Sequence, residues 1–146
     1  MAKVYHQGIG ARTANLLFTT LGRLGRGRGY RHVLTVTGRK SGRPHSLPVD
    51  VMSDGQHRWL VAPYGVTNWV LNARTAGSVE LRRGRHQETF RVVELSAEEA
   101  IPVLRQYLRE VPVTRAYFDI TLDSTDTEVR TEARHHPVFE LLPVTS

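Results

Sequence analysis

LTVTGRKSGRPHSLPV, residues 34–49, consists of two strand-like runs joined by a hairpin turn, and it decides the fold prediction. The flanking runs are rich in β-branched residues, so we predict strands over Tyr30–Thr37 and Ser46–Met52. A hairpin turn needs only a couple of small residues. This turn also carries four cationic or partly cationic side chains, Arg39, Lys40, Arg43 and His45. Charge at a tight turn faces either water or an anion, so GRKSGR is a candidate anion-binding loop.

The rest of the chain predicts four further strands, at residues 56–62, 78–82, 88–95 and 138–142. Helical spacing predicts three helices, at residues 11–24, 69–76 and 96–109. Asn68 is the predicted N-cap of the second helix and Gly77 its C-terminal stop, because these residue types favour those positions. Ser96 opens the third helix with a capping box that Glu99 completes. Residues 111–129 show no regular pattern.

Six strands, joined mostly by tight turns and interrupted by helices, predict an antiparallel barrel that is mainly β with flanking helices, an α+β protein. We expect one domain over residues 1–146. Residues 1–29 are predicted to form the N-terminal helix and a basic Gly/Arg linker, and residues 30–95 the core barrel. Residues 96–146 are predicted to contain a helix, an irregular segment and the last strand. Pro48 predicts a sheet edge or a bulge, because proline has no N–H for the ladder. Since a small barrel has a filled interior, a ligand is expected at a rim or a subunit junction.

Composition narrows the function classes. Across 146 residues there is no cysteine, which excludes a disulfide framework, a thiolate metal site and a cysteine nucleophile. The apolar runs are too short for a membrane span, and the N-terminus lacks a signal-peptide pattern, so we predict a cytoplasmic protein. The net charge of +6, carried almost entirely by arginine, implies an anionic partner: nucleic acid, anionic lipid, or a phosphorylated or carboxylated small molecule.

A second candidate segment is VAPYGVTNW, residues 61–69. A predicted strand ends there, turns at Tyr64-Gly65 and enters a helix, whose N-terminal N–H groups attract anions. Trp69 offers a flat face to a planar ring, although an isolated tryptophan on a short helix is by default a core residue. Together with the GRKSGR turn, this segment predicts an anion site and an aromatic-ring site on one side of the barrel.

Other polar and aromatic residues favour structural interpretations. His135 and His136 point to opposite faces of an extended chain, so they make a poor chelating pair and are predicted in a surface or loop role, and no histidine spacing indicates a metal site. A solvated acidic patch is predicted at Asp119, Asp123, Asp126 and Glu128. An aromatic set could line a pocket, with core packing favoured for at least two members: Tyr107, Tyr117 and Phe118.

The segments LTVTGRKSGRPHSLPV, WLVAPYGVTNWVLNARTAG and VELRRGR together resemble the deazaflavin-dependent nitroreductase family of actinobacteria. These are small split β-barrel proteins related to the oxidoreductases that bind flavin mononucleotide (FMN). The resemblance covers residues 30–95. It implies that the chain binds the 8-hydroxy-5-deazaflavin coenzyme F-420, with the charged hairpin as the clamp for its phosphate and acidic tail.

The resemblance also assigns site residues. The implied phosphate and tail loop comprises Gly38, Arg39, Lys40, Ser41 and Gly42. The implied ring-binding residues are Pro48, Ala62, Pro63, Tyr64, Gly65 and Trp69, and His45 and Asn68 are further implied coenzyme-binding residues. His45 and Tyr64 stand where family members carry arginine and lysine, so this chain has fewer fixed cations at the site.

The function implied is hydride transfer from reduced F-420 to an electron-poor small molecule such as a quinone, an enone or a nitroaromatic. Tyr117 is the candidate proton donor and Tyr64 the alternative. A homodimer is implied by the barrel superfamily.

Two other functions stay open: a related barrel that binds FMN, a haem-type tetrapyrrole or a lipid without F-420 turnover, and a basic nucleic-acid-binding module. The second is disfavoured because aromatic content is 8% and no reader motif occurs, so no nucleic-acid partner is predicted. The pattern LLFTTLGRLGRGR could also rest weakly on an anionic membrane surface.

Overall fold

The computed structural model describes residues 31–144, in which runs of one to three strands are separated by helices. The strands are β1 (Arg31–Thr37), β2 (Pro44–Ser53), β3 (Arg58–Val61), β4 (Ser78–Arg83), β5 (His86–Glu94) and β6 (Val138–Pro143). The helices are α1 (Asn68–Ala76), α2 (Ala97–Glu110) and α3 (Asp126–Ala133), with a 3₁₀ helix at Pro112–Tyr117. The predicted helix at residues 11–24 and the linker after it lie outside the described residues.

The strands close into a barrel in the order β1-β2-β3-β6-β5-β4, and every neighbouring pair is antiparallel. This confirms the predicted fold class. Strand β2 pairs with β1 over residues 44–50 and, within the described part of the chain, with β3 only over residues 51–53. Pro48 therefore lies where β2 has one partner, which is the edge position predicted for a residue without an N–H.

Two apolar clusters hold the fold together. One draws on all six strands and α1 and fills the barrel, because every second residue of a strand points inward; its most buried members include Leu34, Leu60, Phe90 and Phe139. The other packs the apolar face of α2 against the outer wall of the barrel, at Met52, Val61 and Val138. Tyr107 and Phe118 belong to this second cluster, as predicted for two of the three aromatic candidates.

Capping boxes in the sequence predicted the start of one helix, and a second capping box was overlooked. Ser96 and Glu99 form the predicted capping box of α2, with the Ser96 hydroxyl accepting from the Glu99 N–H at 3.1 Å. The prediction of an irregular segment at residues 111–129 is wrong in part, because the 3₁₀ helix and the start of α3 fall there. Thr125 and Glu128 open α3 with a second capping box, so the sequence TDTE carried the same signature.

The N-cap of α1 is Thr67, not Asn68 as predicted. Thr67 has the extended backbone of a cap residue but makes no side-chain cap hydrogen bond, and Asn68 is already helical. The side chain of Asn68 is directed instead at the hairpin, where its oxygen accepts from Arg39. Gly77 ends the helix as predicted: its φ of 75° is left-handed, and its N–H donates to the Ala73 carbonyl at 2.8 Å.

None of the helices within residues 31–144 has the length and hydropathy that a membrane-spanning helix requires.

Candidate functional site

A cavity of about 550 Å³ lies on the outer wall of the barrel, between β2 and a cover formed by α2, the 3₁₀ helix and the loop that leads into α1. Its floor is the outward face of β2, with Ser46, Pro48 and Asp50 at alternate positions. At a rise of about 3.3 Å per residue, Ser46 and Asp50 are about 13 Å apart along the strand. A ligand site was expected at a rim or a subunit junction; this cavity lies on the barrel wall and is partly covered by the chain's own helices.

The charged hairpin forms one end of the cavity. Its turn is closed by two backbone bonds, from the Gly38 N–H to the Arg43 carbonyl at 2.8 Å and from the Gly42 N–H to the Gly38 carbonyl at 2.9 Å. The absence of a side chain at Gly38 makes room for His45, since a Cβ there would lie 2.6 Å from Nε2 of His45 and would force that side chain to move. The imidazole of His45 therefore packs directly over the turn, beside the hydroxyl of Ser41.

Arg39 ties this hairpin to α1. Its backbone N–H and its Nη1 both donate to Oδ1 of Asn72, at 3.0 and 2.8 Å, and Asn72 is buried. Nη2 also donates to Oδ1 of Asn68 at 3.5 Å. The guanidinium is thus used largely to fix the hairpin, which leaves the exposed ammonium of Lys40 as the cation presented at this end of the cavity.

Replacing Asn72 with alanine is expected to lower the free energy of unfolding by about 1–3 kcal/mol, because both Arg39 donors lose their buried acceptor. Urea denaturation followed by far-UV circular dichroism measures the change. Asn68→Ala is the matched control: this amide is exposed and its contact is long, so a change within about 0.5 kcal/mol is expected. Equal losses in the two variants would show that the Arg39–Asn72 contact is not what fixes the hairpin.

Aromatic and polar groups form the other end of the cavity. The rings of Tyr64 and Tyr117 meet edge to face, with centroids 4.8 Å apart. Tyr107 lies deeper and is only 2% exposed, and this burial raises the pKa of its hydroxyl above the ordinary value. On the floor, Nε of Arg31 lies 3.0 Å from Oδ1 of Asp50. This end therefore combines planar apolar surface with a small group of polar atoms.

His136 corrects one prediction. A surface or loop role was expected for both neighbouring histidines; His135 is exposed, but His136 is only 5% exposed. Its Nδ1 donates to the Ala62 carbonyl at 2.9 Å, and its Nε2 lies 2.9 Å from Oε1 of Glu132 on α3. Its ring stacks on that of Phe118 at 4.0 Å. His136 thus joins the end of β3, which leads to Tyr64, to the segment that carries Tyr117.

The acidic patch is exposed, as predicted, and part of it has structural partners. Asp126 lies within 2.5 Å of the Arg105 guanidinium, which ties α3 to α2, while Glu128 caps α3. Within residues 31–144, no group of three or more histidine and acidic side chains is arranged to hold a metal ion.

The structure brings most of the predicted site residues to the cavity. Those that line it are Gly38, Arg39, Lys40, Ser41, His45, Pro48, Pro63, Tyr64, Asn68 and Trp69. Trp69 shows only an edge there, since it is 8% exposed and packs on Phe139 in the barrel interior, in agreement with the core alternative.

Four of the predicted residues do not line the cavity. Gly42 and Gly65 have φ values of 71° and 86° and shape the turns around it. Ala62 is fully buried. Tyr117 reaches the cavity through its contact with Tyr64.

Several residues of the cavity wall were not among the predicted site residues, and the polar ones with side chains of interest are Arg31, Asp50, Asn72 and Thr114. Tyr107, which also lines the cavity, was predicted only as one of three aromatic residues that could line a pocket. Asp50 could have been found, because it is a carboxylate at an alternate position of a strand that already carries Pro48. The others reach the cavity only through the β1–β2 register and the docking of α2.

Fold and site together define a barrel protein whose outer wall carries a long cavity with one cationic and one aromatic end. The model of the F420H(2)-dependent quinone reductase family matches residues 19–131, and the chain belongs to this family. The resemblance predicted from the sequence is confirmed, and the family's name agrees with the predicted coenzyme F-420. The comparison with curated proteins gave no match.

Solved structures share the fold at low sequence identity. An F420-H2 dependent reductase is 19% identical, with a TM-score of 0.55 over 77% of this chain and 94% of its own. A domain-swapped dimer is 18% identical, with a TM-score of 0.57 over 91% of this chain and 96% of its own. An FAD-binding protein from Mesorhizobium loti is 13% identical, with a TM-score of 0.51 over 89% of each chain. At these identities the matches establish the fold alone.

Proposed function

We propose that the protein is a reductase that binds coenzyme F-420 in the cavity along β2 and passes hydride to a quinone or another electron-poor acceptor. This proposal rests mainly on one observation: the cationic end and the aromatic end of the cavity lie along the same strand, β2. The cationic hairpin precedes Ser46, and the aromatic end surrounds Asp50 about 13 Å further along. A phosphorylated coenzyme with a ring system presents the same two chemistries in the same order.

The residues at the cationic end suit a phosphate. Lys40 supplies an ammonium, Ser41 a hydroxyl donor, and His45 an imidazole held against Gly38. Arg43 is exposed at the tip, where it can face the acidic tail of the coenzyme. Gly42 and Gly65 would contribute by shaping the turns, and Ala62 by holding the start of the Tyr64 loop. The donor set therefore fits F-420 without a metal ion.

The other end suits a planar acceptor. When bound and reduced, F-420 supplies hydride from its ring carbon. Tyr64 and Tyr117 form an aromatic wall, and Val113, which is 69% exposed, extends it with apolar surface. Besides the hydride, reduction of a quinone to the hydroquinone requires one proton, for which we propose Tyr117 as the donor and Tyr64 as the alternative. Tyr64 is 38% exposed, so water can return the proton to it.

A second candidate is a barrel that binds FMN without using F-420, which the fold shared with an FAD-binding protein favours. Fluorescence titration of the protein with oxidised F-420, alongside FMN at the same ionic strength, separates the two. Saturable binding of F-420 in the micromolar range or tighter, with weaker binding of FMN, is expected from the proposal. Preference for FMN, or binding of neither, would overturn it.

Three further predictions accompany this function. A homodimer is expected in solution, and light scattering coupled to size exclusion measures its mass. A cytoplasmic location is expected, with weak membrane-surface contact through the N-terminal helix. Co-sedimentation with anionic lipid vesicles at rising salt tests that contact.

A further inference from the structure

A guanidinium and a carboxylate lie side by side in the wall of the cavity. Arg31 and Asp50 are directly opposite each other in the β1–β2 register, so their side chains share one face of the sheet. Nε of Arg31 lies 3.0 Å from Oδ1 of Asp50, and the two side chains are 22% and 7% exposed. Both line the cavity, on the same face of β2 as Pro48 and Ser46.

The stability of the barrel does not by itself account for this pair. A buried ion pair often contributes no more than well-packed apolar residues of the same volume, because desolvation offsets the attraction. The outward neighbours in the same two strands, Val33 and Met52, are apolar and buried. Two charged side chains at the cavity floor thus indicate recognition of a polar group in the ligand.

We propose that Asp50 and Arg31 recognise the imide edge of the coenzyme's ring system, an inference that rests on the proposed function. An imide places an N–H donor beside carbonyl acceptors. The Asp50 carboxylate accepts from such an N–H, and the Arg31 guanidinium donates to the adjacent carbonyl. A guanidinium has five N–H donors and a carboxylate about four acceptor sites, so each group can serve more than one partner at a time.

The position of the pair supports this assignment. Lys40 and Ser41 stand at the hairpin end, and Asp50 lies about 13 Å beyond Ser46 along the strand. In F-420 the phosphate and the imide edge are likewise separated, by a ribityl chain and part of the ring system. Anchors at both ends would fix the register of the coenzyme along β2. Flavins carry the same imide, so the pair is expected to favour both ring systems over ligands that lack it.

The test uses a ring ligand that cannot contact the phosphate site. The protein is titrated with 8-hydroxy-5-deazariboflavin, which has the ring and the ribityl chain only, and with its N-methylimide derivative, which lacks the N–H. We expect the wild type to bind the methylated form about 10-fold or more weakly, since a charged acceptor loses its donor. The double variant Arg31→Met/Asp50→Leu should bind the two forms with equal, weak affinity.

Two additional variants serve as an alternative to the double variant and as its control. Asp50→Asn keeps the side-chain shape and, if the double variant does not fold, should by itself reduce the preference for the N–H form. Arg74→Met/Glu94→Leu removes an exposed ion pair away from the cavity and should leave the preference unchanged. Full retention of the preference in the Asp50 variants, or equal binding of both forms by the wild type, would overturn the imide assignment while F-420 binding stands. Failure of the wild type to bind either ring or F-420 would overturn the proposed function as well.

Discussion

Replacing Lys40 with alanine is expected to weaken the binding of F-420 by about 10- to 100-fold, because a hydrogen bond to a charged group contributes about 1.5–3 kcal/mol. Lys40 is exposed at the cavity, whereas the neighbouring Arg39 is held by Asn72 and is less able to move toward a phosphate. Fluorescence titration of F-420 at fixed ionic strength measures the change. The variant should fold as the wild type does, since this side chain is at the surface.

Arg85→Ala is the matched control for Lys40→Ala. It removes one positive charge from another exposed hairpin, between β4 and β5. The long-range attraction between the protein and the anionic coenzyme therefore falls by the same amount in both variants. Its effect on affinity should stay within about 2-fold, because surface charges are screened over about a Debye length. Similar losses in both variants would mean that Lys40 acts only through net charge, and the anion clamp would be wrong.

Replacing His136 with alanine is expected to lower the free energy of unfolding by about 2–5 kcal/mol, because buried polar groups lose their partner and a cavity is left in the core. The substitution leaves the buried Glu132 carboxylate without its imidazole partner, removes the donor to the Ala62 carbonyl and opens a gap beside Phe118. Urea denaturation, checked for an unchanged slope against denaturant, measures the loss.

His135→Ala is the control for this second substitution, one residue away but exposed. A change within about 0.5 kcal/mol is expected for it, as for most surface substitutions. If His136→Ala were equally mild, the contacts of His136 with α3 and β3 would be incidental to the fold.

The sequence was most informative where local chemistry acts alone. The end of β1 at Thr37 was predicted because the β-branched run stops at a glycine turn, and the bounds of α2 were predicted to within one residue because Ser96 and Glu99 cap it. Thr67 and Asn68 are both good cap residues, so the start of α1 could not be chosen from residue type. The two predicted site segments, at residues 38–45 and 61–69, do line one cavity.

What the sequence could not supply depends on tertiary packing. Arg31 and Asp50 become neighbours only through the strand register, and Tyr107 reaches them only because α2 docks on β2 and β3. The alternation rule assumed an extended chain at the two adjacent histidines, whereas both lie in the turn that follows α3. Residue type also could not show that His136 would be covered by Phe118 and α3.

Within residues 31–144, β2 pairs on one side only over residues 44–50, and this has a consequence for solubility. An exposed strand edge is a template on which another chain can add a strand and begin to aggregate. Pro44 and Pro48 are an even number of residues apart, so their nitrogens face the same edge. Pairing with β1 is continuous across both, which places these nitrogens on the other edge, where proline offers no N–H to an incoming strand. The wall of the cavity can thus stay open to a small ligand while resisting intermolecular sheet formation.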